Sequence, residues 1–246
     1  MSEVSEISRE QAGTCGTRAV EPPTSAPLAR VEVLPRYSGA VRATHWLFAA
    51  LFLALLATGL ALELPELRGI EWLGLKLLRE LHLTLAILLL TVPATAAAWD
   101  SFRAVGRLVR SALRFDADDR AWLAAVLLRP IRRGAALPPQ GFLNAGQKLN
   151  LLLTLGLTLG LALTGLVIAP PRGVPQDLRE TLYGVHQTLA YLTVPLVAAH
   201  VFLAALNPAT RESLRGMTLG YVRRDWAEAH HAKWARERSE EAWKRS

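Results

Sequence analysis

Four of the chain's six histidines, His45, His82, His186 and His200, fall within or at the ends of long apolar runs. Imidazole is the commonest metal-ligating side chain and a poor occupant of hydrocarbon, so its placement there needs a chemical reason. His186 and His200 lie 14 residues apart in one run, "TLYGVHQTLAYLTVPLVAAHVFLAAL". On a helix that spacing is a rise of ~21 Å and a turn of ~1400°, within about 40° of a whole number of turns. One helix thus offers an imidazole at each of two depths, on much the same side.

The elements that must position these residues are membrane spans. A span needs roughly 20 mostly apolar residues. Four segments qualify, about 44–63, 81–99, 149–170 and 182–206, while Ala121–Leu128 is too short to cross. Residues 1–36 are polar, lack the apolar core of a signal peptide and read as a disordered cytoplasmic tail. The single cysteine, Cys15, lies in that tail, so neither a disulfide nor thioether attachment of a haem is available.

The net charge of +7 is unevenly spread. Lys and Arg number five in 1–43, nine in 100–148 and nine in 207–246, against three in 64–80 and two in 171–181. With four spans the first three stretches share one side of the membrane. The positive-inside rule makes that side, and both termini, cytoplasmic in a bacterial inner membrane. The basic surplus sets topology and meets anionic lipid, not nucleic acid, for which no reading motif accompanies it. Arg103, Arg107, Arg110 and Arg114 recur at spacings of four, three and four, one face of a helix lying on the inner leaflet.

Topology then sorts the histidines by depth. His45 opens the first span and His200 nears the end of the fourth, both toward the inner face. His82 opens the second span and His186 begins the fourth, both toward the outer face. Bis-imidazole ligation at two depths suits b-type haem in an electron-transfer role. The expected fold is all-α, an integral membrane four-helix bundle with two stacked b haems. Its divisions are a tail, 1–36; a membrane domain, 37–206, with a cytoplasmic loop 100–148; and a cytoplasmic tail, 207–246. The competing reading makes the histidines packing residues or proton relays in a transporter or scaffold. A zinc or copper cluster suits the pattern poorly, because the two pairs lie ~20 Å apart without Cys or carboxylate at ligand spacing. Gly59, also 14 residues past His45, either opens room for the outer macrocycle or serves simple helix packing. Gly156 and Gly160 form a GxxxG pair that lets helices approach closely. His230 and His231, outside the spans, read as surface residues.

Five stretches, "RYSGAVRATHWLFAALFLALLATGL", "LLRELHLTLA", "FLNAGQKLN", "VHQTLAYLTVPLVAAH" and "NPATRESLRGMTLGYVRRDWAEAHHAKW", occur in order over roughly 36–236. Together they resemble the gamma subunits of membrane-bound formate dehydrogenases, within the wider group of bacterial di-haem cytochromes b. The resemblance implies the same ligand pairs, His82 with His186 and His45 with His200. It further implies a cytoplasmic-side quinone site at Asn144, Gly146, Gln147 and Lys148. Read from residue type alone, that element is better taken as a helix start with Asn144 as its N-cap. As partners it implies an iron–sulfur subunit and a molybdenum- or tungsten-containing catalytic subunit, with membrane quinone as electron acceptor. Formate oxidation would then take place outside this chain. The runner-up is the cytochrome b subunit of another quinone-linked periplasmic oxidoreductase, such as a hydrogenase or thiosulfate reductase.

Overall fold

The computed structural model describes residues 31–72, 75–97, 101–128, 137–170 and 173–243. Most of the expected N-terminal tail, with Cys15, lies outside them. The chain runs β1 (Val33–Pro35), α1 (Gly39–Ala61), α2 (Pro65–Arg68), β2 (Glu71–Trp72), β3 (Leu75–Lys76), α3 (Leu77–Ala97), α4 (Ser101–Ala112), α5 (Ala117–Leu128), α6 (Ala145–Ile168) and α7 (Gln176–Val201). A π-helical turn, Phe202–Leu206, leads to α8 (Glu212–Thr218), β4 (Tyr221–Arg223), α9 (Arg224–His230) and α10 (Ala232–Trp243).

Among the described residues three helices are long and apolar enough to cross a membrane: Gly39–Ala61, Ala145–Ile168 and Gln176–Leu206. The second expected span corresponds to α3, whose 21 residues pack along α1. The other long pair is α6 with α7, and α1 also touches α7. Leucines on these helices stay exposed, Leu159 at 60%. That is the pattern of a bundle whose lateral solvent is hydrocarbon, where close packing rather than burial of apolar area holds helices together. Gly160 shows how: a Cβ there would lie 2.9 Å from Leu189 Cδ1, so its absence lets α7 approach α6. Its GxxxG partner Gly156 has open space around it.

The fourth expected span divides near its end. Pro195 sits inside α7, and the π turn follows His200 by two residues. Proline removes one ladder hydrogen bond and a π turn widens the next, so the chain around His200 departs from a uniform helix.

At the end where α1 begins, strands β1 and β4 pair antiparallel in the register Val33↔Arg223, Leu34↔Val222 and Pro35↔Tyr221. Residues 33–35, assigned to a tail from sequence, are therefore part of the fold. Gly220 (φ +92) makes the turn before β4, where a Cβ would lie only 3.0 Å from the Tyr37 carbonyl oxygen. Leu34, Val222, Trp226, Ala227, Trp234 and Ala235 form a small core, with Phe142 against it. Arg36 enters this core, its guanidinium 4.8 Å from the Trp234 ring centre and 4.9 Å from that of Phe142. It donates to the Phe142 carbonyl at 2.7 Å and lies 3.3 Å from His231 Nε2. The expectation that His231 is a surface residue fails: it is fully buried. Its Nδ1 donates to the Gly141 carbonyl at 2.8 Å, so both ring nitrogens are satisfied inside. Burial first, then the Arg36 charge, holds it neutral, with its pKa lowered to about 3.

The basic helix α4 packs against α1, α3 and α6, with Ala112 fully buried and Arg103, Arg107, Arg110 and Arg114 exposed. Lys233 of α10 pairs with Asp116 at 2.9 Å and Asp118 at 2.6 Å, tying the C-terminal helices to the start of α5. At the opposite end of the bundle, Arg79 and Arg179 donate to the carbonyls of Ala169 and Ile168 at 3.0 and 2.7 Å, satisfying the last turn of α6. Tyr183 donates to Glu63 at 3.1 Å and Gln187 joins the same carboxylate, closing α7 onto α1. The outer connection folds as α2 and the two-residue β2–β3 ladder.

Candidate functional site

The four histidines stand in two facing pairs. His45 of α1 faces His200 of α7, ring centres 6.4 Å apart and planes tilted by 49°. His82 of α3 faces His186 of α7, ring centres 6.5 Å apart and planes at 78°. Two imidazoles sharing one metal ion, each nitrogen at about 2.0–2.1 Å with the ring centre roughly 1 Å behind it, would place centroids about 6 Å apart. Among the described residues no three His, Cys, Asp or Glu side chains gather into a metal-binding group, so each pair offers two donors. Two facing imidazoles would suit a b-type haem, whose macrocycle would supply the remaining donors.

The outer pair is held by a repeated device that no reading of single histidines reveals. Thr58 Oγ1 lies 2.8 Å from His82 Nδ1, and donates its own proton to the Ala54 carbonyl at 2.9 Å. Thr164 Oγ1 lies 2.8 Å from His186 Nδ1, and donates to the Gly160 carbonyl at 2.7 Å. A hydroxyl already donating along its helix accepts from the ring, which assigns the Nδ1–H tautomer and leaves Nε2 with its lone pair. The next residue in each case is glycine. A Cβ on Gly59 would lie 3.3 Å from His82 Cε1, and one on Gly165 3.4 Å from His186 Cε1. The signal was present as "TGL" in both α1 and α6.

The inner pair is held differently. His45 Nδ1 is buried with no partner, and His200 Nδ1 lies 3.3 Å from Asn150 Nδ2.

Asn144, Gly146, Gln147 and Lys148 start α6 at the same end as His45 and His200. Asn144 is the N-cap of a complete capping box: its Oδ1 accepts from Gln147 N at 2.8 Å, and Gln147 Oε1 accepts from Asn144 N at 3.1 Å. Both side-chain amide NH2 groups are left over as donors. Gly146 packs on Trp122, where a Cβ would meet the ring at 3.2 Å. Lys148 is buried, donating to Asp119 Oδ2 at 2.6 Å and to the Arg114 carbonyl at 2.9 Å. An open pocket of about 540 Å³ beside it is lined by Arg107, Arg110, Ser111, Arg114, Phe115, Asp116 and Lys148.

Long apolar helices that set imidazoles face to face at two positions define the class, a membrane cytochrome b. Residues 36–220 match the family description "Prokaryotic cytochrome b561", and the chain belongs to that family. Membership implies b-type haem in a membrane haem subunit. The chain is 28% identical over 100 residues to the cytochrome b556(Fdn) subunit of the nitrate-inducible formate dehydrogenase of Escherichia coli K12. The same subunit of Shigella flexneri matches equally. The match takes in 39% of this chain, and the chain spans 45% of the length of those curated relatives.

Proposed function

We propose that this chain is the membrane-anchoring cytochrome b subunit of a formate dehydrogenase complex. It takes electrons from an iron–sulfur subunit and passes them through two b haems to membrane quinone. The observation that carries this reading is the pairing of His82 with His186 and His45 with His200 at opposite ends of the helices. Each pair would be the axial ligand set of one haem, which when bound supplies a reversible one-electron iron couple. The chain's own part is to hold four imidazoles at fixed depths and exclude water between the helices. Haem held on both sides by these imidazoles would be suited to electron transfer rather than oxygen chemistry.

At the inner end, the free amide NH2 groups of Asn144 and Gln147 are suited to donate to a quinone carbonyl. Gly146 lets Trp122 pack beneath that surface, and Lys148, ion-paired with Asp119, holds the start of α6 in place beside it. The arginine-lined pocket on α4 would seat anionic lipid headgroups, since its guanidiniums sit where basic residues meet the inner leaflet. With both termini cytoplasmic, α3 is the second of four spans, and the catalytic molybdenum or tungsten subunit lies across the membrane.

One observation favours a broader reading of the donor. The family match covers 36–220, whereas the formate dehydrogenase likeness covers 39% of the chain. A hydrogenase or thiosulfate reductase complex would use the same haem arrangement.

The test is a dithionite-reduced minus oxidised spectrum with a haem-to-protein ratio. About two b haems per chain are expected in the wild type and one in His186→Ala, with topology intact. Unchanged haem content in that variant would remove His186 as a ligand. Co-purification of the native complex then identifies the donor: an iron–sulfur and a molybdopterin subunit with formate activity support formate.

A further inference from the structure

The two histidine pairs differ in what holds their remote nitrogens, and this difference has an electronic consequence. In the outer pair both Nδ1 atoms face a threonine oxygen at 2.8 Å. In the inner pair His45 Nδ1 has no partner among the described residues, and His200 Nδ1 lies at a longer 3.3 Å from the Asn150 side-chain amide, whose oxygen would face a ring N–H. A hydrogen-bond acceptor on Nδ1–H draws that proton outward and makes Nε2 a stronger donor to a metal. A stronger axial donor stabilises the ferric over the ferrous state and so lowers the reduction potential.

We propose that Thr58 and Thr164 are positioning residues that fix His82 and His186 in the Nδ1–H tautomer and make the outer haem the lower-potential member of the pair. The proposal rests on the bis-histidine reading above. Its consequence is direction. With haem held by each histidine pair, electron transfer would run downhill from the His82/His186 site toward the His45/His200 site at the Asn144 end. The two threonines belong to different helix pairs, α1 with α3 and α6 with α7, yet each acts on the partner helix through the same Thr-Gly step. Gly59 and Gly165 bring the rings close enough for the bond to form.

The experiment is a redox titration of the b-haem band on the purified full-length chain, with the haem-to-protein ratio measured alongside. Thr58→Val and Thr164→Val keep the branched shape and remove the hydroxyl; Thr58→Ser and Thr164→Ser restore it. The expected result is two midpoint potentials in the wild type. The lower one should rise in each Val variant and rise further in the double variant, while the higher one stays fixed and Ser behaves as wild type. Loss of one haem in the Val variants with retention in the Ser variants also supports the assignment, because the hydroxyl is then needed to present Nε2. Two haems with unmoved potentials, a shift confined to the higher-potential haem, or equal changes in Val and Ser would overturn it. Failure of the ligand reading looks different: His186→Ala would keep both haems whatever the threonines do.

Discussion

Lys148 Nζ lies 2.6 Å from Asp119 Oδ2, with both groups buried, so a single ion pair fastens the inner end of α6 to α5. Breaking such a pair from one side strands a buried charge. Asp119→Asn should cost about 3 kcal/mol and lower the apparent unfolding midpoint in detergent. Joint replacement by Asp119→Leu and Lys148→Met should recover most of the loss, since no charge is then stranded. An unchanged midpoint in Asp119→Asn would show that the pair does not fasten these helices.

A Cβ added at Gly59 or Gly165 would lie 3.3 or 3.4 Å from an imidazole carbon. Gly59→Ala asks His82 to retreat by only a few tenths of an ångström and should keep the haem content. Gly59→Val places a branched side chain on the ring and should reduce haem from two per chain to one, read from the reduced spectrum. Overpacking of this kind costs typically ~1–3 kcal/mol, enough to displace a ligand without unfolding the bundle. Full haem content in Gly59→Val would argue against His82 as a ligand.

Gln147 has two separable duties. Its Oε1 closes the capping box and its NH2 is left over. Gln147→Glu keeps the acceptor and places negative charge at a helix N-terminus, which is favourable. It should therefore fold normally while slowing haem reoxidation by added quinone. Gln147→Ala should in addition lose roughly 1 kcal/mol of helix capping. Normal reoxidation in Gln147→Glu would move the quinone site elsewhere.

His231 carries a pH signature. Its pKa falls from 6.5 to about 3 in the fold. The unfolded chain binds a proton below 6.5 that the folded chain refuses, so its contribution is complete above 6.5 and lost as pH falls toward 3. The slope approaches ~1.4 kcal/mol per pH unit within that window. His231→Phe should flatten this part of the stability profile, at the cost of leaving the Gly141 carbonyl unpaired. An unchanged slope would assign the acid sensitivity to other groups.

Which rings face each other follows from helix rise, a 14-residue spacing and the order of apolar runs, all visible in the sequence. Thr58 and Thr164 repeat a "TGL" that is visible in the sequence, but its meaning was not, because threonine in an apolar helix ordinarily bonds back to its own i−4 carbonyl and signals nothing further. Only the approach of α3 to α1 and of α7 to α6 turns the hydroxyl's second face into an acceptor for a ring. Arg36 and His231 were missed for the opposite reason. Both are polar and lie outside the spans, and polar residues there read as solvated until tertiary contacts enclose them. The β1–β4 ladder escaped because three-residue strands carry no periodicity to read.

That ladder also orders the events of biogenesis. Val33 pairs with Arg223, 190 residues later in synthesis. Every membrane helix, and each of the four histidines, has been synthesised before the strand that pairs with β1 exists. Until Tyr221–Arg223 arrives, the segment carrying Arg36 has neither its β partner nor the Trp226 and Trp234 faces that enclose it. The ladder is thus a late closure: the end of the bundle where α1 begins gains its strand partner and its tryptophan faces only from the last-made segments, β4 to α10.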